Sequence, residues 1–393
     1  MKKVFLFSLF LVLGLVLSQC LPVWLGEAFL TAEKVAKTLM FVCLAFIMIN
    51  VGREFELDKT KWRSYAADYF IAMATAAVPW IMVAFYYMFL LPADLFGNWD
   101  AWKENLLLSR FAAPTSAGIL FTMLAAAGVR REWIYKKTQV LAIFDDLDTI
   151  LLMIPLQIFM IGFKWQLFAV VIVITFLLVI GWKKLGTIRL SQTWKSILFY
   201  AVCIVAVTES IYLLTKWMMG ADGAIHIEVL LPAFVLGMVM KTVHQHGNRD
   251  EKITGMISYL FMFLVGLSTP QFIGIDHGHR ITEAVGIIAA QPMPSWEVLV
   301  VHVIVVTLLS NLGKMFPLFF YRDRQLEERL ALSVGMFTRG EVGAGIIVIA
   351  MGYNLGGPAL IISVLSLVLN LLLTGGFVVI VKRLAQQAYG LKE

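Results

Sequence analysis

Long apolar runs alternate with short polar segments along the whole chain. A helix that crosses a bilayer needs about 17–25 predominantly apolar residues. The pattern therefore predicts an all-α polytopic membrane protein with about twelve transmembrane helices. The predicted spans are residues 3–19, 35–52, 64–91, 104–128, 134–162, 165–182, 193–217, 225–243, 253–271, 295–321, 327–352 and 357–382.

The composition of the chain agrees with this pattern. Of the 393 residues, 60% are hydrophobic and 15% are charged, and the mean hydropathy is +0.84. These values exclude an ordinary soluble domain. We therefore predict a single membrane domain over residues 1–393, embedded in the lipid bilayer, with no soluble domain.

Positive charge follows the predicted topology. With Met1 in the cytoplasm, most of the 32 lysines and arginines fall in segments that the spans place inside, as the positive-inside rule requires. Both termini are then cytoplasmic, and topology explains the net charge of +6 without a nucleic acid partner. The basic residues assigned to outside segments are Lys34, Lys37, Lys103, Arg110, Lys164, Lys216 and Arg280.

Residues 1–19 have the basic start and apolar run of a secretory signal peptide. Gln19 precedes Cys20, where a lipoprotein signal has a small residue, so we favour a retained first span over a cleaved signal. Cys20, Cys43 and Cys203 are scattered along the chain and form no CxxC pair. The sequence therefore indicates no disulfide framework, no metal cofactor and no other cofactor.

Two predicted spans contain helix breakers and polar groups in mid-membrane. The fourth holds FAAPTSAGIL and the eleventh holds FTRGEVGAGI. Non-helical backbone at that depth is tolerated only where it is buried in protein or lines a cavity. Interrupted helices in inverted repeats are typical of a transporter with a binding site near the midplane. FIMINVGREF in span 2 and FMFLVGLSTP in span 9, which cross in opposite directions, form a weaker echo of the same kind.

The fifth span carries three acids, Asp145, Asp146 and Asp148, in the stretch LAIFDDLDTILLMIP. A charged side chain at the bilayer centre costs roughly 2.5–3.5 kcal/mol on insertion scales, so acids there are functional candidates. Adjacent helix positions lie about 100° apart, so Asp145 and Asp146 can border one cavity, while Asp148 and Thr149 share the side of Asp145. Such a cluster cannot be fully ionised in a low dielectric, and it needs protons, cations or a basic partner.

Lys314, in LLSNLGKMFP of the tenth span, is the candidate basic partner, because a buried lysine can release its proton. Without a cation, one carboxylate would pair with Lys314 and another would hold a proton. When a small cation enters, it would take the carboxylates and protons would leave. Arg339 and Glu341 of span 11 are two residues apart. A structural ion pair that holds the broken helix is favoured for them over a gating role. For Asp148 no nearby base is evident, and a water-filled funnel is the expected environment.

These features resemble the cation:proton antiporter superfamily, in particular bacterial electrogenic sodium/proton antiporters. That family carries an Asp-Asp pair in span 5, a lysine in span 10 and crossed, unwound helices in spans 4 and 11. Asp145-Asp146, Lys314, APTSAGI and TRGEVGAGI match this pattern in the same order over nearly the whole chain. The resemblance implies a secondary antiporter and not an enzyme.

By the same resemblance, Asp146 is expected to be the essential carboxylate for cation and proton, and Asp145 its partner, bridged to Lys314. Thr115 would lie at the helix crossing beside the ion, so that Asp145 and Asp146 bind the transported Na+. The resemblance also implies a homodimer in the bacterial inner membrane, with a core domain that moves elevator-like. Two protons exchanged for each sodium ion, and a role in pH homeostasis, follow from the electrogenic class.

One position departs from the family's pattern. Relatives commonly continue the pair as Asp-Asp-apolar-apolar-Gly, whereas this chain reads Asp-Asp-Leu-Asp-Thr. Asp148 is therefore a candidate extra carboxylate, and ion preference among Na+, Li+ and K+ and stoichiometry stay open here. The alternatives are a K+/H+ exchanger of the same fold and a sodium-coupled organic-anion symporter, which has less use for Lys314. An intramembrane aspartyl protease would need two aspartates on separate helices.

Overall fold

The computed structural model describes residues 2–25, 28–53, 62–116, 132–161, 186–219, 229–241, 248–269, 286–353 and 355–390, with isolated residues between 120 and 184. Their regular secondary structure is helical, apart from one isolated bridge between Ile188 and Met240. The predicted all-α class is confirmed. The helices are α1 (Lys2–Leu25), α2 (Ala28–Arg53), α3 (Trp62–Phe89), α4 (Trp99–Ser109), α5 (Trp133–Ile161), α6 (Trp194–Met219), α7 (Leu230–Val239), α8 (Asn248–Leu267), α9 (Trp296–Gly313), α10 (Leu326–Gly335), α11 (Glu341–Gly352) and α12 (Gly357–Tyr389).

Several described helices match membrane spans in length and composition. The segments long and apolar enough to cross a bilayer are Glu33–Arg53, Ala66–Phe89, Trp194–Met218, Trp296–Phe319 and Gly357–Tyr389. The sixth predicted span, residues 165–182, lies largely outside the described residues, as do Lys164, Arg280 and the end of the fourth span. The number of spans therefore stays a prediction.

Local signals begin the helices that lead to the two breaks. The Asn98 side chain accepts hydrogen bonds from the N–H groups of Asp100 and Ala101 at the start of α4. Gln325 and Glu328 form a capping box at the start of α10. These caps satisfy amide donors that the first helical turn leaves free. They set where each interrupted span starts.

Two pairs of glycines bring helices into direct backbone contact. Gly14 of α1 faces Gly266 of α8, and Gly52 of α2 faces Gly237 of α7. A Cβ at any of the four would overlap a carbonyl oxygen of the facing helix, so the approach requires glycine. Gly52 and Gly266 belong to the two echoing segments of spans 2 and 9. Equivalent positions of the repeats thus make equivalent contacts, and the segment resembling a signal peptide packs into the helix bundle.

We expect Gly266→Ala to lower the melting temperature of the detergent-solubilised protein. The added methyl group would overlap the Leu11 carbonyl oxygen, and overpacking of this kind costs about 1–3 kcal/mol. Gly255→Ala is the matched control, because Gly255 lies on the same helix with open space around its Cβ. Alanine there should be neutral or slightly stabilising. Equal melting temperatures for the two variants would contradict the close approach.

Both interrupted spans unwind within the segments that the sequence indicates. In the fourth span, α4 is followed by a 3₁₀ turn at Arg110–Ala112 and by irregular backbone at residues 113–116. In the eleventh span, residues 336–340 separate α10 from α11. The predicted interruption of both helices is confirmed.

The two breaks meet through hydrogen bonds. The Ser116 N–H donates to the Thr338 carbonyl at 2.9 Å, and the Thr115 hydroxyl donates to the Met336 carbonyl at 3.1 Å. Each break thereby satisfies polar backbone groups that the other exposes, which is the condition for unwound backbone at membrane depth. The crossing brings residues from both halves of the chain to one place.

Candidate functional site

A buried ion pair joins α5 to the end of α9. Lys314 Nζ lies 2.8 Å from Oδ1 and 3.0 Å from Oδ2 of Asp145, and both side chains are 0% exposed. Lys314 directly follows α9 as its C-terminal cap, where a cation also interacts favourably with the last carbonyl groups of the helix. The contact expected between Lys314 and Asp145 is present.

The broken fourth helix supplies a further donor to the same carboxylate. The Thr115 backbone N–H donates to Asp145 Oδ2 at 2.7 Å. This N–H is available because Pro114 and its neighbours are not helical. Hydrogen bonds to an ionised acceptor are shorter and stronger than those between neutral groups. Thr115 therefore lies at the crossing beside the candidate acid, and its contribution to Asp145 comes from the backbone.

Arg339 holds the crossing together. Its side chain is 1% exposed and donates to the carbonyl oxygens of Pro114 at 3.3 Å, Met336 at 3.2 Å and Ser310 at 3.1 Å. These carbonyls belong to the two breaks and to α9, so one guanidinium connects three elements. The Glu341 side chain lies outside the described residues, and its pairing with Arg339 stays a prediction.

Asp148 has a basic partner, contrary to the expectation from the sequence. Arg110 Nη2 lies 3.5 Å from Asp148 Oδ2 and donates a 3.0 Å hydrogen bond to the Asp148 backbone carbonyl. The side chains are 0% and 2% exposed, so a water-filled funnel around Asp148 is wrong, as is the assignment of Arg110 to an outside segment. The sequence did indicate that Arg110 could be buried, because Arg110 lies inside the predicted span 104–128.

Asp146 and Thr149 complete the polar positions of α5. The Asp146 side chain lies outside the described residues, so its role stays a prediction that rests on its place after Asp145. Thr149 is 1% exposed, and its hydroxyl has no hydrogen-bond partner within the described part of the chain. A buried hydroxyl of this kind retains hydrogen-bonding capacity next to the acids.

The described site combines bases and acids in a dry environment. Arg110, Lys314 and Arg339 lie with Asp145 and Asp148, each at most 2% exposed. Among the residues that the structure describes, no three or more His, Cys, Asp and Glu side chains are grouped to hold a metal ion. Buried charges are tolerated only when they are paired. Such a set can change its charge only by moving protons or by admitting an ion.

A family model described as sodium/hydrogen exchanger, transmembrane, matches residues 2–384 of the chain. The chain belongs to the sodium/hydrogen exchanger family. This exchanger is therefore a multi-pass membrane antiporter that exchanges sodium ions and protons. The expected membership of the cation:proton antiporters is confirmed.

Solved structures agree with the fold of the exchanger. It is similar to the sodium proton antiporter MjNhaP1 from Methanocaldococcus jannaschii at pH 8, with a TM-score of 0.60 and 14% identity over 98% of this chain and 92% of that chain. A three-dimensional electron-microscopy map of the same antiporter matches with a TM-score of 0.51 and 12% identity over the same shares. At this identity the likeness shows the fold alone. No curated protein matches the chain.

Proposed function

We propose that this exchanger moves Na+ or Li+ against protons at a site formed by Asp145, Asp146 and Lys314, by alternating access. The observation that carries the proposal is the buried Lys314–Asp145 pair at 2.8 Å, beside the two broken helices. A cation that binds Asp145 must replace the ammonium group there. Lys314 can yield its place by losing its proton, because a buried lysine releases a proton readily.

The charges of this site support the release of two protons for each sodium ion. In the proton-loaded form, Asp145 is ionised and paired with protonated Lys314, and Asp146 is protonated, so the three side chains sum to zero. When Na+ binds, Lys314 and Asp146 each lose a proton, and two carboxylates hold one cation. The two loaded forms then differ by one charge, so we infer that the cycle is electrogenic.

The hydrogen bond from the Thr115 N–H would keep Asp145 oriented in both forms. It comes from the backbone and carries no proton that can be exchanged at neutral pH. The crossing of the two breaks would hold this donor in place when Lys314 leaves. Thr115 is therefore proposed as a positioning residue for the ion site.

Cation-dependent proton release tests this proposal. In everted vesicles that contain the exchanger and a fluorescent pH dye, Na+ or Li+ should release the proton-dependent quenching, whereas choline should not. In proteoliposomes, an imposed membrane potential should change the rate of exchange. A wild-type exchanger without cation-dependent proton release would overturn the proposed function. An exchange rate that does not depend on the membrane potential would contradict the electrogenic stoichiometry but not the exchange itself.

Potassium/proton exchange at the same site is the second candidate. Coordination by carboxylates does not by itself separate Na+ from K+. Currents on solid-supported membranes, recorded with Na+, Li+ and K+ in turn, separate the two candidates. A larger current with K+ than with Na+ would identify K+ as the transported cation. Flux of an organic anion with Na+ and without proton release would favour the symporter.

The pairing of the acids also supports a transporter over a protease. Asp145 and Asp148 each contact a base, Lys314 and Arg110, respectively. An aspartyl protease needs two carboxyl groups that share a proton and a water molecule. Peptide cleavage by the purified protein without any ion flux would contradict the assignment of this site to ion transport.

We further propose a homodimer in the bacterial inner membrane, with both termini in the cytoplasm and an elevator-like movement. Exposed apolar side chains along α6, such as Phe199 and Trp217, support a surface that faces lipid or a second copy. The mass of the purified exchanger in detergent tests the dimer. Labelling of single cysteines placed near each terminus, from one side of the membrane, tests the topology.

A further inference from the structure

Arg110 is fully buried, outside the Lys314–Asp145 pair. Its guanidinium lies 4.4 Å from the ring centroid of Trp80 on α3, and Nη2 contacts Asp148. Its Nε and Nη1 atoms have no hydrogen-bond partner among the described residues. The Trp80 indole N–H donates to the Leu106 carbonyl of α4 at 2.7 Å, so the same ring also contacts the helix that directly precedes Arg110. Among the described residues, the guanidinium thus contacts the Trp80 ring and the carboxylate and backbone carbonyl of Asp148.

The pair of Arg110 and Asp148 lies close to the exchange site. Asp148 follows Asp145 by one helical turn on the same side of α5, and Arg110 precedes Thr115 by five residues. The fourth span thus contacts α5 at two levels, through Arg110 at Asp148 and through Thr115 at Asp145. A change of charge at Asp148 therefore changes the electrostatic energy of Asp145, because the dielectric constant between the two side chains is low.

Helix α3 connects the two pairs. Gly313, which precedes Lys314, packs directly against Pro79, because a Cβ on Gly313 would meet the Pro79 Cα at 2.5 Å. Pro79 is followed by Trp80, which stacks on Arg110. Gly313, the neighbour of Lys314, and Arg110 therefore contact adjacent residues of one helix.

The two bases differ in chemistry. Lysine can lose its proton when it is buried, whereas the guanidinium of arginine stays charged in proteins. The charged groups with electrostatic influence on Asp148 are Arg110, Asp145 and Lys314, and Asp148 in turn acts on the Tyr69 hydroxyl of α3. Of these, Arg110 alone both contacts Asp148 and cannot give up its charge. Asp148 is thereby held by a permanent cation.

We propose that Arg110 and Asp148 form a fixed charge pair that sets the cation affinity of the neighbouring exchange site without taking part in the exchange. The inference rests on the proposed function, because it assigns a positioning role beside that site. It also explains how the chain tolerates a third acid on α5. The transported cation is attracted to Asp145 and Asp146, while Arg110 keeps Asp148 from competing for it.

The proposal predicts opposite effects for the two single substitutions. Arg110→Gln leaves the negative charge of Asp148 unbalanced, so the apparent KM for Na+ at alkaline pH should fall. Asp148→Asn leaves the positive charge of Arg110 unbalanced, so the same KM should rise. For one unit charge about one helical turn from the exchange site, each change in the KM should be roughly tenfold. Combining both substitutions restores the net charge and should return the KM to near the wild-type value.

Sodium-dependent proton flux in proteoliposomes measures the KM and the maximal rate of each variant. Lys103→Gln is the matched control, because it removes a positive charge from the first turns of α4, where Lys103 pairs with the exposed side chain of Asp100. Arg110→Lys, whose buried ammonium group can lose its proton, should lower the KM as Arg110→Gln does, and more strongly as the pH rises. Melting temperatures in detergent show whether each variant is folded.

The outcomes separate this proposal from the proposed function. A wild-type exchanger without sodium-dependent proton flux would overturn the proposed function. If the wild type is active but both single variants change the KM in the same direction, the proposed charge pair is wrong. The same conclusion follows if neither variant changes the KM. If a single variant fails to fold, the double variant decides. A KM far from the wild-type value in the double variant would then overturn the proposal.

Discussion

Asp146→Asn is expected to reduce sodium-dependent proton release to background while the exchanger stays folded. Asparagine has nearly the shape of aspartate, but it neither ionises nor carries a proton. In the proposed cycle Asp146 supplies one of the two protons and one of the carboxylates that bind the cation. The Lys314–Asp145 pair, which joins α5 to the end of α9, keeps both of its side chains in this variant.

The measurement is dye dequenching in everted vesicles that contain matched amounts of each variant. Asp94→Asn makes the same chemical change at an exposed position in the 3₁₀ helix Ala93–Gly97 and should retain exchange. A melting temperature close to that of the wild type shows that Asp146→Asn is folded. Retained sodium/proton exchange in Asp146→Asn would refute the assignment of the site.

Lys314→Ala is expected to lower stability and to change the charge moved in each cycle. Removing one partner of a buried ion pair leaves an uncompensated charge and costs about 3–5 kcal/mol. Asp145 would keep the Thr115 N–H as its described donor. Without Lys314 the site also loses one of its two protons, so residual exchange should respond less to the membrane potential.

Adding Asp145→Asn to Lys314→Ala tests the cause of this instability. The double variant removes both charges of this pair, so it should melt at a higher temperature than Lys314→Ala alone. Lys183→Ala, at an exposed lysine, is the control for the loss of a lysine side chain. Unchanged stability in Lys314→Ala would contradict a stabilising pair. Unchanged voltage dependence would contradict the role of Lys314 as a proton carrier.

The breaks in spans 4 and 11 show which parts of the fold were predictable. Pro114 and Gly340 disfavour helix through their own backbone chemistry, and the neighbouring polar residues make an uninterrupted membrane helix unfavourable. These are local properties, and both spans unwind at or near these positions. The echo of Gly52 and Gly266 was visible as a pattern, but the contacts with Gly237 and Gly14 that explain it were not.

The sequence by itself determined an all-helical membrane protein, two interrupted spans and a cluster of acids on α5 with Lys314 as the expected base. Apolar length, helix breakers and the cost of a buried charge depend on neighbouring residues, so they can be read along the chain. The tertiary structure determined which groups these charged side chains contact. Asp148 pairs with Arg110, and Arg339 binds carbonyl groups of both breaks. Such pairings depend on how distant helices cross, and neither spacing nor composition specifies that crossing.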